Sequence, residues 1–228
     1  MLWWVYQQAI KASNISDVIC AVDDERVMTV CKHYKMNAIM TKSSHQKHID
    51  RIQEVSDIIS ADYYIVVCGD EPLVEPSSIE IIIPNSSIID SEYYISSLMK
   101  DFDDPVEAYD SASMKCAVNA DGRCLFISRS IIPLPYKSVD YKLKRLVGIE
   151  CYNKEALDFF VNTPTGVLEK IEDITLVRYL EHFIPVYLIN TTNKHIGVDT
   201  EKNLDMVRSI IEDRINSNKT DFGNKEKG

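Results

Sequence analysis

Two hydrophobic periods alternate along this chain. Over residues 2–12 apolar positions recur at helical spacing, with Leu2, Val5, Tyr6, Ala9 and Ile10 on one broad face. Residues 17–22 read as a short buried strand closed by Asp23 and Asp24. The pattern then predicts a helix over 25–34, with acids at its start that suit the macrodipole. A second short strand is expected over 38–40, a polar loop over 41–47, and an amphipathic helix over 50–59. The apolar run at 65–67 completes a third strand. Strands alternating with helices of this length predict a doubly wound α/β fold, its mostly parallel sheet covered on both faces.

After Pro84 the pattern changes. Strands are expected over 94–99 and 113–118, and Asn119-Ala120-Asp121-Gly122 signals a hairpin into a strand over 124–128. A strand over 147–152 leads to a helix over 153–161, a longer helix over 168–182 and a strand over 186–189. The last helix opens at Asp199-Thr200-Glu201, where Asp199 or Thr200 could cap it. No internal repeat and no Pro- or Gly-rich linker divides the chain. We expect one domain over residues 1–215 and a disordered tail over 216–228, where the composition turns polar and charged.

Composition narrows the function more than the fold. A formal net charge of -10 over 228 residues argues against a nucleic-acid partner, which needs a basic face. A nucleotide-sized ligand needs only a few local cations or a metal. No apolar stretch reaches membrane-spanning length, and without a basic segment ahead of an apolar one a secretory signal is not expected. Six scattered cysteines, without a CxxC pair, read as reduced thiols of a cytoplasmic protein and not as a zinc site or disulfide framework.

The chemistry concentrates at two carboxylate positions. In Tyr63-Tyr64-Ile65-Val66-Val67-Cys68-Gly69-Asp70-Glu71-Pro72, an apolar run gives way abruptly to Gly-Asp-Glu-Pro. Asp70 and Glu71 therefore stand at a strand's carboxyl edge, where open α/β sheets bind ligands. Gly69 permits close approach of the backbone, and Pro72 stops the strand. Asp199, in His195-Ile196-Gly197-Val198-Asp199-Thr200, is the second. Two aspartates converging on one cleft suit Mg²⁺-assisted phosphoryl or nucleotidyl transfer. The alternatives are a solvated acidic turn at Asp70 and a helix cap at Asp199.

In order from end to end, the chain resembles the 3-deoxy-manno-octulosonate cytidylyltransferases, within the GT-A-like nucleotidyltransferases. The matching segments include Val5-Tyr6-Gln7-Gln8-Ala9, Val22-Asp23-Asp24-Glu25-Arg26-Val27, Asp50-Arg51-Ile52-Gln53-Glu54-Val55 and Gly69-Asp70-Glu71-Pro72-Leu73. They continue with Phe126-Ile127-Ser128-Arg129, Leu168-Glu169-Lys170-Ile171-Glu172 and Gly197-Val198-Asp199-Thr200. No one of these motifs is specific; their shared order over some 200 residues is. The resemblance implies transfer of CMP from CTP to an acidic, Kdo-like sugar, with release of pyrophosphate. It gives Asp70 and Asp199 to the catalytic Mg²⁺, and Arg51, Cys68 and Gly69, with Asp70, to the nucleotide. It puts Arg129 and Glu169 on the sugar side, and it implies a homodimer with a small antiparallel subregion for sugar and dimer contacts.

Departures from the family's pattern keep other readings open. The family's opening strand and glycine-containing basic loop have no counterpart, so they are expected either upstream of Met1 or to be missing. Without them, the sheet is expected to lack a central strand and to expose apolar edges. Lys47-His48-Ile49 stands where Ser-Gly-Thr is usual, Cys68 where Gln is, and Leu146 where His is. His48 reads as a surface histidine, the alternative being a substitute for a lost polar contact. Lys115 matches a lysine within a family strand. A catalytically silent dimerisation homologue, or a nucleotidyltransferase for another anionic acceptor such as a phosphonate, are the alternative functions.

Overall fold

Each helix is placed by one apolar face and a local stop or start signal. Helix α1 (Leu2–Ala9) buries Val5, Tyr6 and Ala9. Strand β1 (Cys20–Val22) ends before Asp24, whose side chain accepts from the Arg26 N–H and caps α2 (Glu25–His33). Strand β2 (Ala38–Met40) leads to α3 (His48–Ile58), where Asp50 accepts from the Lys47 N–H at 3.1 Å. Strand β3 (Tyr64–Val67) and α4 (Pro76–Ile81) follow. The later elements are β4 (Ile95–Asp101), β5 (Lys115–Val118), β6 (Cys124–Ser128), β7 (Lys144–Tyr152), α5 (Lys154–Asn162), α6 (Val167–Glu172), α7 (Leu176–Glu181), β8 (Tyr187–Asn190) and α8 (Glu201–Asn216). This computed structural model describes residues 1–84, 91–137, 140 and 142–216, so the expected tail falls, from residue 217, outside the described residues.

The nine-residue β7 organises the larger sheet. One edge pairs with β4 along its length. On the other edge β5 pairs as far as Arg145 and β3 begins at Ile149, so the register is interrupted around Gly148. The pairing is more mixed than strand–helix alternation implies. β1–β2 and β4–β8 are parallel, whereas each partner of β7 runs antiparallel to it. Antiparallel neighbours need no helical crossover, and β7 follows the β5–β6 hairpin and not a helix. Among the described residues, β1 pairs only with β2 and β3 only with β7, leaving a divided sheet with one unpaired edge on each.

Side-chain alternation along β7 separates two cores. Leu146 and Tyr152 face a cluster built with Ile49, Phe160, Val177 and Tyr179. Val147, Ile149 and Cys151 face the opposite cluster, with Val5, Ala9, Ile79 and Ile82. The helix expected over 168–182 is two helices. Asp173 takes the left-handed conformation (φ 50°) and ends α6, a state short polar side chains tolerate. Its carbonyl receives Arg129 Nη2 at 3.3 Å and its carboxylate receives Lys47 Nζ at 2.6 Å.

Candidate active site

The loop after β3 turns tightly back on itself. Glu71 N–H donates to the Cys68 carbonyl and Val74 N–H to that of Glu71, both at 3.1 Å, while Leu73 and Val74 are fully buried anchors. Beneath this loop lies the interruption on β7. A side chain on Gly148 would place its Cβ 3.8 Å from Cys68 Sγ and 3.9 Å from Glu71 Oε1. Both are ordinary packing distances, so the loop lies in direct contact with this stretch of β7.

A second segment, more than 100 residues away in sequence, docks on the same loop. Val198 N–H donates to the Asp70 carbonyl at 2.9 Å, and Arg145 Nη2 holds the His195 carbonyl at 2.7 Å. Glu71 Oε1 and Asp199 Oδ2 lie 3.4 and 3.7 Å from the point a Cβ on Gly197 would occupy. The capping question at α8 resolves in the same place. Thr200 Oγ1 accepts from the Asn203 N–H while Asn203 Oδ1 accepts from the Thr200 N–H, each at 3.2 Å. This reciprocal box satisfies the helix start and leaves the exposed Asp199 carboxylate to the cleft.

Crowded negative charge marks this cleft. Glu71 is 8% exposed and its Oε2 is buried with no hydrogen-bond partner. Burial, joined by the charges of Asp70 and Asp199 and opposed by Arg145, raises its pKa to about 7. The Cys68 thiol feels the same field. Desolvation, with Glu150, Asp70, Glu71 and Asp199 adding to it, pushes it up to about 12, although the residue reaches the surface. Cys68 is therefore a neutral hydrogen-bonding group and not a thiolate nucleophile. Among the described residues no three His, Cys, Asp or Glu side chains are arranged as a ready-made metal cage. Magnesium is commonly held by one or two carboxylates plus substrate phosphates, so an orphaned buried carboxylate oxygen beside two aspartates fits it.

The other residues singled out in sequence have different surroundings. Arg51 reaches from α3 to Thr41 Oγ1 at 2.7 Å and Asp23 Oδ2 at 2.6 Å, joining the ends of β1 and β2. Gly69 lies under Leu2, whose Cδ1 is 3.5 Å from the added Cβ position. Arg129 is spent largely on carbonyls, those of Glu172, Ser111 and Asp173. Glu169 is 1% exposed, and Arg178 takes both its oxygens, at 2.5 and 2.8 Å. Lys115 is fully buried with its ammonium on the carbonyls of Asp110 and Ser113, which gives it a structural task. His48 is exposed at the surface, as its sequence setting suggests, and in addition its Nε2 lies 2.7 Å from the buried carboxylate of Glu150. Glu150 and Arg145 were missed. Their only sequence signal is a charge inside an apolar strand, which does not name a partner on another element.

The comparisons with known proteins bear on this cleft. Residues 1–195, which carry the Asp70 loop and the β7 interruption, match the family described as "Cytidylyltransferase". The chain belongs to the cytidylyltransferase family. Among curated relatives, the 3-deoxy-manno-octulosonate cytidylyltransferase of Koribacter versatilis is 32% identical over 215 residues, covering 94% of this chain and 81% of that one. The enzyme of the same name from Escherichia coli is 28% identical over 218 residues, covering 96% and 88%. Among solved structures, CMP:2-keto-3-deoxy-manno-octonic acid synthetase complexed with CTP superposes with a TM-score of 0.87 at 28% identity, over 93% of this chain and 88% of that chain. A glucose-1-phosphate thymidylyltransferase from Bacillus anthracis, described as putative, shares the fold at 12% identity (TM-score 0.63, 96% of this chain and 82% of that one). This cytidylyltransferase is thus a nucleotidyltransferase with the GT-A-like α/β fold, and no helix among its described residues is long and apolar enough to cross a membrane.

Proposed function

We propose that this cytidylyltransferase transfers CMP from CTP to 3-deoxy-manno-octulosonate, or a closely similar acidic sugar, in a Mg²⁺-dependent reaction. The observation that carries the reading is the convergence of Asp70, Glu71 and Asp199 on one cleft beside Gly148 and Gly197. It is supported by relatives of that name over nearly the whole chain.

Asp70 and Asp199 would hold the ion, which supplies charge neutralisation at the phosphates and a lowered pKa for the attacking hydroxyl. The chain's own residues set the rest. Arg51 anchors the ends of β1 and β2 and faces the nucleotide, with Gly69 and Cys68 beneath it. Cys68 offers a weak S–H donor where an amide could make two bonds, so it constrains the base less. The sugar's anomeric oxygen forms its bond to the α-phosphorus as the bond from that phosphorus to the β-phosphate oxygen breaks. Pyrophosphate leaves. Arg129, which follows β6, stands on the acceptor's side, and Glu169, buried against Arg178, supports that side from behind.

Residues 1–215 act as one nucleotidyltransferase domain, in the cytoplasm and as a homodimer. Supporting the dimer, Val106, Tyr109, Leu134 and Tyr136 expose 70% or more of their surface. The test is pyrophosphate release from CTP with Mg²⁺ and a panel of acidic acceptors, repeated with the other nucleoside triphosphates. Release that needs CTP and 3-deoxy-manno-octulosonate supports the reading. No release with any pair, from a folded protein, rejects it in favour of the silent homologue.

A further inference from the structure

Beside the acidic cleft lies a second charged assembly that the metal reading leaves unused. Glu150 stands on β7 two positions beyond Gly148, on the strand face that carries Leu146 and Tyr152. Its Oε2 accepts from the Tyr152 hydroxyl at 2.7 Å and meets His48 Nε2 at the same distance. The Glu150 side chain is 11% exposed, that of His48 40%. A carboxylate with so little solvent is retained only when paired and hydrogen-bonded, and here a phenol and an imidazole supply both.

The pair is ionic. Burial works to neutralise His48 and Lys47 opposes its charge, yet the charge and hydrogen bond of Glu150, helped by Asp50, raise its pKa above the ordinary value. Burial likewise works against the Glu150 charge, and His48 and Tyr152 overcome it, holding its pKa below the usual carboxylate range. His48 is also the first residue of α3, the end of a helix where a cation is disfavoured. Glu150 offsets that and favours the protonated ring. Only one ring nitrogen is committed to it. Among the described residues Nδ1 makes no hydrogen bond, on a ring that is two-fifths open.

Position gives this free donor a purpose. Glu150 is two positions along β7 from Gly148, whose Cβ position lies 3.8 Å from Cys68 Sγ, so the pair borders the loop that carries Asp70 and Glu71. On its other side, Lys47 is tied to Asp173, whose carbonyl holds Arg129. We infer that His48, fixed by Glu150 and Tyr152, binds an anionic group of a reactant at the edge of the cleft, either the acceptor's carboxylate or a phosphate of the nucleotide. His48 is the binding group; Glu150 and Tyr152 are positioning residues. The inference rests on the cytidylyl-transfer reading for the identity of the two reactants, and on the observed triad for the donor.

The test is an NMR titration of the His48 ring, its signals assigned by their loss in His48→Gln, in the protein alone, with CTP, and with 3-deoxy-manno-octulosonate. The free protein is expected to titrate above an ordinary histidine, and Glu150→Gln to lower that pKa. A further upward shift with the sugar acid alone assigns the carboxylate; one with CTP alone assigns a phosphate. The KM for the responding reactant should rise roughly 10- to 100-fold in His48→Gln, the scale of one hydrogen bond to a charged group, with a smaller change in kcat. Turnover by a protein whose His48 ignores both reactants overturns the inference and spares the function. A His48 response without turnover does the reverse.

Discussion

Two acidic sites in this molecule are equally hidden in parts and opposite in their bookkeeping. At the first, Glu169 is fully answered. Arg178 gives it two charge-assisted bonds, uses its remaining donors on the carbonyls of Phe160 and Thr163 and the hydroxyl of Thr165, and lies 3.6 Å over the Phe160 ring. At the second, Glu71 is almost as buried but has one oxygen with no partner, and its neighbours Asp70 and Asp199 add negative charge. A fold that satisfies one carboxylate so completely is able to satisfy the other. The difference teaches which region holds α6, α7 and α5 together and which carries negative charge that no protein group answers.

The cost at the second site has a definite sign. Glu71 binds its proton more tightly in the folded state, with a pKa of about 7 against an ordinary 4.5. Its contribution therefore turns against the fold as pH rises through that window, until a cation compensates the charge. Magnesium with CTP should accordingly raise the melting temperature more at pH 8 than at pH 5.

The strongest break of the comparison is Arg178→Ala. Stranding Glu169 should cost about 3–5 kcal/mol in denaturant unfolding. At the cleft, Asp70→Ala should instead slow pyrophosphate release by roughly 10²–10³-fold, the scale of losing one preorganised electrostatic contact, with the melting temperature little changed or higher. A large stability loss in Asp70→Ala would erase the distinction between the two sites.

Histidine 195 sharpens it next. Burial, with Arg145 and Lys100 repelling added charge, lowers its pKa to about 4 from 6.5, and its Nδ1 is buried without a partner. Below pH 6.5 the unfolded chain takes up a proton that the folded protein refuses, so this contribution destabilises as pH falls and is complete near pH 4. The wild-type stability minus that of His195→Asn should thus drop by about 3 kcal/mol between those limits. A flat difference curve would place the imidazole in solvent. The smallest effect is at the α8 cap, where Thr200→Ala should cost about 1 kcal/mol and Asp199→Ala nearly nothing.

Much of this was legible before any coordinates, for physical reasons that differ by residue. The Asp70 loop was readable because an apolar β-branched run stopped at Gly-Asp-Glu-Pro, which local chemistry allows only at a strand edge. Asp199 was ambiguous, since an aspartate before a helix is also a cap; only the Thr200–Asn203 box decides it. The break at Asp173 was hidden because residues 168–182 keep a helical apolar period across it. His48 and Glu150 were unreadable as a pair, being 102 positions apart and brought together only by the tertiary fold. Arg129 and Glu169 were visible as charges, yet their partners are carbonyls and a buried guanidinium that sequence spacing does not reveal.

The most direct measurement is Mn²⁺ binding, used in place of Mg²⁺, followed by electron paramagnetic resonance in the presence of CTP. Asp70 and Asp199 should each be required: wild type captures one ion per chain with CTP, and Asp70→Ala and Asp199→Ala each lose it while remaining folded. Full retention of the bound ion in both variants would contradict the convergence of these two side chains on one cation.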